Sequence, residues 1–138
     1  MCHFIFVTDH RCWAVSKSDY KGSQSDIIYL VTDFEQIKKH GCEFVFTDGQ
    51  ALIVYSKFFD DESDFDKLDW EAIRSSQWGR NQRDNDKMRR KMAEFLVKDY
   101  VPTEAIIGIG VMNQQMVTQI VTQAGASIPV IVKTNWYF

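Results

Sequence analysis

Residues 26–46 read DIIYLVTDFEQIKKHGCEFVF, in which two apolar runs flank a polar stretch with helical character. The first run predicts a strand over Asp26–Val31. Thr32 or Asp33 can then cap a short helix, and Gly41 gives that helix its stop signal. The stretch therefore predicts a small strand–helix–strand unit.

Similar short elements are predicted on both sides of this unit. Ala51–Phe59 is apolar and ambiguous between strand and helix, and its length and the preceding Asp48 favour a helix. The remaining predicted elements are strands over residues 3–7, 43–46 and 129–133, and a helix over 113–124 that Gly125 ends. Short strands interleaved with short helices favour an α+β fold over a regular βαβ repeat.

Length and composition limit the number of domains and the class of protein. The chain has 138 residues, of which 45% are hydrophobic and 14% aromatic, so it can fill one domain core. The apolar runs are too short for an ordinary transmembrane helix, and the N-terminus lacks the pattern of a signal peptide. The net charge of −3 argues against a globally basic nucleic-acid binder but not against a local basic patch.

Cysteine usage indicates a reducing compartment, so we expect a cytoplasmic protein. The chain has three cysteines and no CxxC motif. Cys2-His3 and His10-x-Cys12 do not match a zinc-binding pattern, and buried thiols explain them better. We therefore expect no metal site.

The charge changes sign in the middle of the chain. Residues 60–71 carry seven acidic side chains, and residues 74–91 carry seven basic ones against Asp84 and Asp86. One interpretation is a solvated charged loop. The other is contact with a phosphate backbone, with Trp78 stacking on a base.

Glu94 is the first candidate for chemistry because it lies inside the apolar run Met92–Val97. A carboxylate among apolar residues costs free energy unless it is paired or has a function. On a strand, it would be a cleft carboxylate that stabilises a developing cation or takes a proton. On a helix over Lys87–Tyr100, it would lie on the solvent face. The residues alone leave both interpretations open.

Other site signals are weaker. Thr47-Asp48-Gly49 follows a predicted strand and is typical of a turn. His10 or Arg11, after the first strand, could hold a phosphate. No GxGxxG or P-loop motif is present, so neither of the common phosphate-binding loops is predicted.

From about Gly22 onward, the sequence resembles the DarT family, the DNA ADP-ribosyltransferase toxins of toxin–antitoxin pairs. The matching segments occur in the family's order and are SDIIYLV, EFVFTDGQA, YSKFFDD, LDWEAIRSSQW, RRKMAEFLV, VP, IGV and NWYF. The combination of FTDG, LDW and RR-x-x-AEFLV is specific, although each piece alone is not.

The resemblance implies an ADP-ribosyltransferase-like split β-sheet with short peripheral helices around an NAD cleft. It implies transfer of ADP-ribose from NAD to a base in single-stranded DNA, with Glu94 as the catalytic glutamate. The loop before Glu94, about Gly79–Met92, would recognise the substrate. The expected DNA-binding residues, with Arg89 and Arg90 preferred, are Trp78, Arg80, Arg83, Lys87, Arg89 and Arg90.

The NAD site is expected from His10, Arg11, Thr47 and Asp48. The family has an Arg-Ser pair after its first strand, for which Arg11 would stand in, and often a histidine where this chain has Gln50. The chain is expected to form a single domain over residues 1–138 that lacks part of the family's N-terminal NAD-binding portion. The resemblance also implies a macrodomain antitoxin partner, similar to DarG. The short apolar runs lead us to expect no membrane association.

Two other functions remain open. The chain could be a catalytically impaired or truncated module of this fold that binds DNA or the antitoxin. It could also be a metal-dependent nuclease that uses Asp48 and Glu94, although it lacks the acidic-Lys signature of that chemistry.

Overall fold

The computed structural model describes residues 3–7, 23–75, 84–125 and 127–137. The chain divides into two compact units, one formed by Met1–Gly41 with Val101–Phe138 and the other by Cys42–Tyr100. The elements in chain order are β1 (His3–Val7), β2 (Tyr29–Asp33), α1 (Phe34–Lys39), β3 (Phe44–Thr47), β4 (Phe58–Phe59), α2 (Trp70–Arg74), α3 (Lys87–Lys91), β5 (Phe95–Val97), β6 (Gly108–Val111), α4 (Gln114–Ala124) and β7 (Val130–Val132).

The first unit is built on a four-stranded sheet in the order β1-β2-β6-β7. β2 pairs antiparallel with β1 and β6, and β7 pairs parallel with β6 after the crossover through α4. All four residues of β6 are buried, which is why its sequence is apolar without alternation. The core of this unit includes Val31, Ile37, Ile109 and Val111.

Local end signals define both helices that flank this sheet. The Asp33 carboxylate accepts the backbone N–H of Gln36 at 3.0 Å, which confirms the predicted cap of α1. Asn113 caps α4 in the same way, and Gly125 ends α4 in the left-handed conformation at φ 55°.

Aromatic side chains from the C-terminus complete the first unit. The Tyr29 hydroxyl donates to the Trp136 carbonyl at 2.9 Å, and the two rings meet edge to face. The Tyr137 hydroxyl donates to the Ile27 carbonyl at 2.7 Å. A Cβ at Gly110 would lie 2.8 Å from Cε3 of the Trp136 indole, so this ring needs glycine beneath it.

The second unit is a three-stranded antiparallel sheet in the order β4-β3-β5. Its core is aromatic. Phe46 is 1% exposed and packs near-parallel to the rings of Phe59, Phe65 and Phe95. Because Phe46 pairs with Phe95, the ends of β3 and β5 bring Thr47 and Glu94 together.

The α+β class and the division of the sheet into two are therefore confirmed, but three local predictions are corrected. β2 begins at Tyr29, because Gln24–Asp26 forms a 3₁₀ turn in which the Ser23 N–H donates to the Asp26 carboxylate at 2.7 Å. Ala51–Phe59 is a series of turns followed by β4, not a helix. Of the two interpretations left open for Glu94, the helix over Lys87–Tyr100 is wrong, because α3 ends at Lys91 and β5 begins at Phe95.

Candidate active site

The backbone of Glu94 is fixed to the end of β3 by Thr47. The Thr47 N–H donates to the Glu94 carbonyl at 2.9 Å, and the Glu94 N–H donates to Thr47 Oγ1 at 3.0 Å. Thr47 is 0% exposed, and its hydroxyl donates onward to the Gly49 carbonyl at 2.5 Å. Thr47, which the sequence analysis assigned to cofactor binding, therefore positions Glu94. Its contact with a cofactor stays a prediction.

The two oxygens of the Glu94 carboxylate differ in their hydrogen bonding. Its Oε1 accepts the backbone N–H of Ala51 at 3.0 Å. Its Oε2 is buried and has no hydrogen-bond partner within the described residues. Buried polar atoms are nearly always paired, and a catalytic role is one of the recognised explanations for an exception. A carboxylate oxygen in this state can accept a hydrogen bond from a substrate hydroxyl.

The segment that supplies the Ala51 N–H is a closed turn, which we call the 48–57 turn. Its two ends are joined at Asp48, whose carboxylate accepts the Lys57 N–H at 2.9 Å. Inside it, the Ser56 hydroxyl donates to the Gln50 carbonyl at 2.7 Å. From sequence, Asp48 is expected to bind the cofactor, and that contact also stays a prediction. The structure adds a role in closing the turn.

Arg89 of α3 binds the 48–57 turn from outside. Its Nε lies 2.7 Å from the Asp86 carboxylate, and its Nη1 lies 2.7 Å from Asp48 and 3.2 Å from Ser56 Oγ. Its side chain is only 11% exposed, and its guanidinium lies 5.2 Å from the centre of the Tyr55 ring. Hydrogen bonding to Asp86, and then to Asp48, raises the pKa of Arg89 above its usual value.

Arg90 is bound to a second set of carboxylates. Its Nε lies 2.8 Å from Asp69, and its Nη2 lies 2.5 Å from Asp84. Its Nη1 lies 3.1 Å from Asp86. These contacts, led by the one to Asp84, raise the pKa of Arg90. Arg89 and Arg90 were the preferred DNA contacts from sequence, and both use their guanidinium groups on carboxylates of the chain itself.

The other predicted residues divide between described and undescribed parts of the chain. Lys87 is half-buried at the start of α3. Lys91 donates to the Ser75 carbonyl, and burial lowers the pKa of its ammonium group. His10, Arg11, Trp78, Arg80 and Arg83 lie outside the described residues.

Sequence reasoning missed the groups that hold this site together. Ala51 contributes only a backbone N–H, which no residue type reveals. The ion pairs of Asp86 had a usable signal, since Asp86 precedes α3 and lies three residues before Arg89 and four before Arg90, the spacings at which side chains meet on a helix. The ion pair between Arg90 and Asp69 joins residues 21 positions apart, and the sequence gives no local signal for it.

The described residues also bear on metal sites and membrane spans. In that part of the chain, no group of three or more His, Cys, Asp or Glu residues is arranged to hold a metal ion. None of the helices described there is long and apolar enough to cross a membrane.

Known proteins match most of the chain. A family model described as "ssDNA thymidine ADP-ribosyltransferase, DarT" matches residues 11–138. A DNA ADP-ribosyl transferase of Thermus aquaticus is 35% identical over 127 residues, which cover 88% of this chain and 54% of that protein. One of Escherichia coli O127:H6 is 25% identical over 116 residues, covering 82% of this chain and 53% of that protein.

Solved structures of DarT proteins share the fold of this chain. Thermus sp. 2.9 DarT in complex with NAD⁺ superposes with a TM-score of 0.77 at 31% identity, covering 87% of this chain and 62% of that one. The same protein in complex with ADP-ribosylated ssDNA also gives 0.77 at 31% identity, covering 87% and 58%. The chain spans about half the length of the curated relatives it matches. On the family match and the shared fold, the chain belongs to the DarT family.

Proposed function

We propose that the chain is an NAD-dependent transferase that moves ADP-ribose from NAD to a base of single-stranded DNA and acts as the toxin of a toxin–antitoxin pair. The observation that carries the proposal is the buried Oε2 of Glu94, which has no partner among the described residues. It lies on the residue that the family resemblance identifies as catalytic. The family description and the Thermus structures support thymidine as the acceptor and NAD as the donor.

The chemistry suits a fixed carboxylate. The bond between the ribose and nicotinamide breaks with its electron pair leaving on nicotinamide, and positive charge develops on the ribose as in glycoside cleavage. Glu94 would stabilise that charge and accept a hydrogen bond from a ribose hydroxyl through Oε2. A base nitrogen then bonds to the ribose carbon, and its proton passes to water. Single-stranded DNA presents the base without the cost of unstacking it from a duplex.

The NAD contacts are proposed at His10, Arg11, Thr47 and Asp48. A cationic side chain at Arg11 would suit the diphosphate of NAD. Thr47 is hydrogen-bonded to the Glu94 backbone, and Asp48 follows Thr47 in the chain, so both would act at the ribose end of NAD. No metal takes part in the proposed reaction.

Contact with DNA is proposed for the segment before Glu94. Arg89 and Arg90 are already paired with carboxylates, so the proposal places more weight on the other predicted residues of that segment. Arg80, Arg83 and Lys87 would hold the phosphate backbone, and Trp78 would stack on a base. A cytoplasmic location and a DarG-like macrodomain antitoxin that removes the modification complete the proposal.

Mass spectrometry of a mixed-sequence, single-stranded oligonucleotide incubated with the chain and NAD tests the function. We expect a mass gain of one ADP-ribose with the wild-type chain and none with Glu94→Gln, since the amide keeps the shape of the carboxylate but not its charge. Labelling by Glu94→Gln would overturn the role of Glu94. An unchanged oligonucleotide that the folded chain binds in a salt-sensitive manner would instead support a non-catalytic DNA-binding module. A shortened oligonucleotide, dependent on Mg²⁺, would support a nuclease.

A further inference from the structure

We propose that Arg89 is a positioning residue for Glu94, which acts by holding the 48–57 turn closed so that the Ala51 N–H stays on the Glu94 carboxylate. The inference rests on the proposed function for its kinetic consequences only. Its structural consequence can be measured without any enzymatic activity.

Arg89 holds the turn by its side chain and its backbone together. Its Nη1 bridges Asp48 and Ser56, which lie near the two ends of the turn. Its carbonyl accepts the N–H of Gln50 at 3.1 Å, one residue before Ala51. The amide that binds Glu94 Oε1 is therefore next to a residue that Arg89 fixes directly.

The arrangement requires an arginine in this place. The planar guanidinium binds Asp86 through Nε and Nη2 while Nη1 faces the turn. A lysine could keep the charge but not this fork of donors. Gly49 is buried against it, and a Cβ at that position would lie 2.8 Å from Arg89 Cγ. An alanine at position 49 would therefore displace the arginine side chain without removing its charge.

Arg90 provides the matched comparison. It follows Arg89 on the same helix and also pairs with several carboxylates. Its ion pairs are with Asp69, Asp84 and Asp86, and none of these residues belongs to the 48–57 turn. A general loss of stability from breaking ion pairs on α3 should appear in both Arg89→Lys and Arg90→Lys. An effect caused by opening of the 48–57 turn should appear only in Arg89→Lys.

Amide hydrogen exchange of the isotope-labelled chain tests the structural step. In Arg89→Lys and in Gly49→Ala, we expect the amides of Gln50 and Ala51 to exchange about tenfold faster or more, while the amide of Phe46 in β3 stays protected. In Arg90→Lys, the exchange of Ala51 should match the wild type. Unchanged exchange at Ala51 in a folded Arg89→Lys protein would overturn the proposal.

A double-mutant cycle with Glu94→Asp tests the kinetic step, at saturating oligonucleotide so that a loss of DNA affinity does not count. The shorter aspartate side chain at position 94 should no longer reach the Ala51 N–H, so the two changes should not be independent. We expect Arg89→Lys to lower kcat by about tenfold in the wild-type background and by less than about threefold in Glu94→Asp. If Arg89→Lys lowered kcat by the same factor in both backgrounds, the positioning role would be overturned. A wild-type chain that shows the expected exchange but never labels DNA would instead overturn the proposed function and leave the positioning of the Glu94 carboxylate standing.

Discussion

The buried hydroxyl of Thr47 accepts the backbone N–H of Glu94 at 3.0 Å, although the two residues lie 47 positions apart in the chain. The same hydroxyl donates to the Gly49 carbonyl, so a single side chain links the candidate catalytic residue to the turn that also binds its carboxylate. The ends of β3 and β5 are thereby tied at the point where the chemistry is proposed.

Thr47→Val should weaken both the fold and the activity. Valine has nearly the same shape, but it leaves the Glu94 N–H and the Gly49 carbonyl without this partner, which costs about 1–3 kcal/mol when the group is buried. We expect the free energy of unfolding, measured by urea denaturation, to fall by that amount. The initial rate of oligonucleotide labelling should fall as well.

Thr47→Ser is the control for that prediction. Serine keeps the hydroxyl and loses only a methyl group, so it should recover most of the labelling rate while remaining somewhat less stable than threonine. If Thr47→Val labels DNA as fast as Thr47→Ser, then the hydroxyl has no part in positioning Glu94.

The fold could be predicted from the sequence where local rules decide it. Asp33 and Asn113 cap their helices, and Gly125 ends the second, because capping depends on neighbouring residues only. The segment Ala51–Phe59 was mispredicted because it is apolar yet exposed, with Leu52 79% and Tyr55 67% accessible. Its conformation is set by Asp48 and Arg89, partners that periodicity does not include.

In the candidate site, too, local features could be predicted from sequence and contacts between distant residues could not. Glu94 could be predicted as a candidate from sequence because a carboxylate in an apolar run is unusual in itself. The number of charges in the basic segment does not reveal that Asp86 and Asp84, which lie within it, pair with Arg89 and Arg90. Pairing across the chain, as between Asp69 and Arg90, depends on the tertiary fold.

The second unit should lose stability in acid. A backbone hydrogen bond from Ala72 and then Arg90 lower the pKa of Asp69 below its usual 3.8, and Arg89 lowers that of Asp86. A carboxyl group whose pKa is depressed by folding stabilises the native state above its unfolded-state pKa and loses that contribution as the pH falls through the folded value. The urea midpoint should therefore be flat from neutral pH to about 5 and fall below about 4.

Arg90→Met tests whether the ion pairs cause that decline. The variant should be less stable at neutral pH, and its urea midpoint should depend less on pH below about 4, since Asp69 and Asp84 lose a cation that holds their pKa low. If the urea midpoints of Arg90→Met and the wild type depended on pH in the same way, then groups other than the partners of Arg90 would cause the loss of stability in acid.

Gly110→Ala should disturb the aromatic cluster of the first unit. The added methyl group would meet the Trp136 ring, and forcing a group into a packed site costs about 1–3 kcal/mol. We expect a lower urea midpoint and altered tryptophan fluorescence. Gly108→Ala in the same strand is the matched control, because its Cβ would lie 3.5 Å from the Pro129 carbonyl, an ordinary contact. Equal losses in the two variants would contradict this account.

The double variant Arg80→Ala, Arg83→Ala should weaken binding of single-stranded DNA without changing the fold. Removing two phosphate contacts should raise the dissociation constant and reduce the slope of log K against log salt by about 1.4, since each contact with a single strand contributes about 0.7. Titration of a fluorescent oligonucleotide at several salt concentrations measures both. An unchanged slope would mean that these two arginines do not contact the backbone.

Glu94→Gln should abolish labelling without destabilising the chain. In the wild type, the buried Oε2 has no partner among the described residues, which costs free energy that the native state must carry. Glutamine keeps an oxygen for the Ala51 N–H and removes the buried charge, so the free energy of unfolding should stay equal or rise by up to about 1–2 kcal/mol, as at other sites where function opposes stability. Glu94→Ala, which also removes the acceptor for Ala51, should unfold at lower urea than Glu94→Gln. A Glu94→Gln protein that is less stable by more than about 1 kcal/mol would contradict this expectation, because the unpaired amide NH₂ at the Oε2 position would then cost more than the buried charge that it replaces.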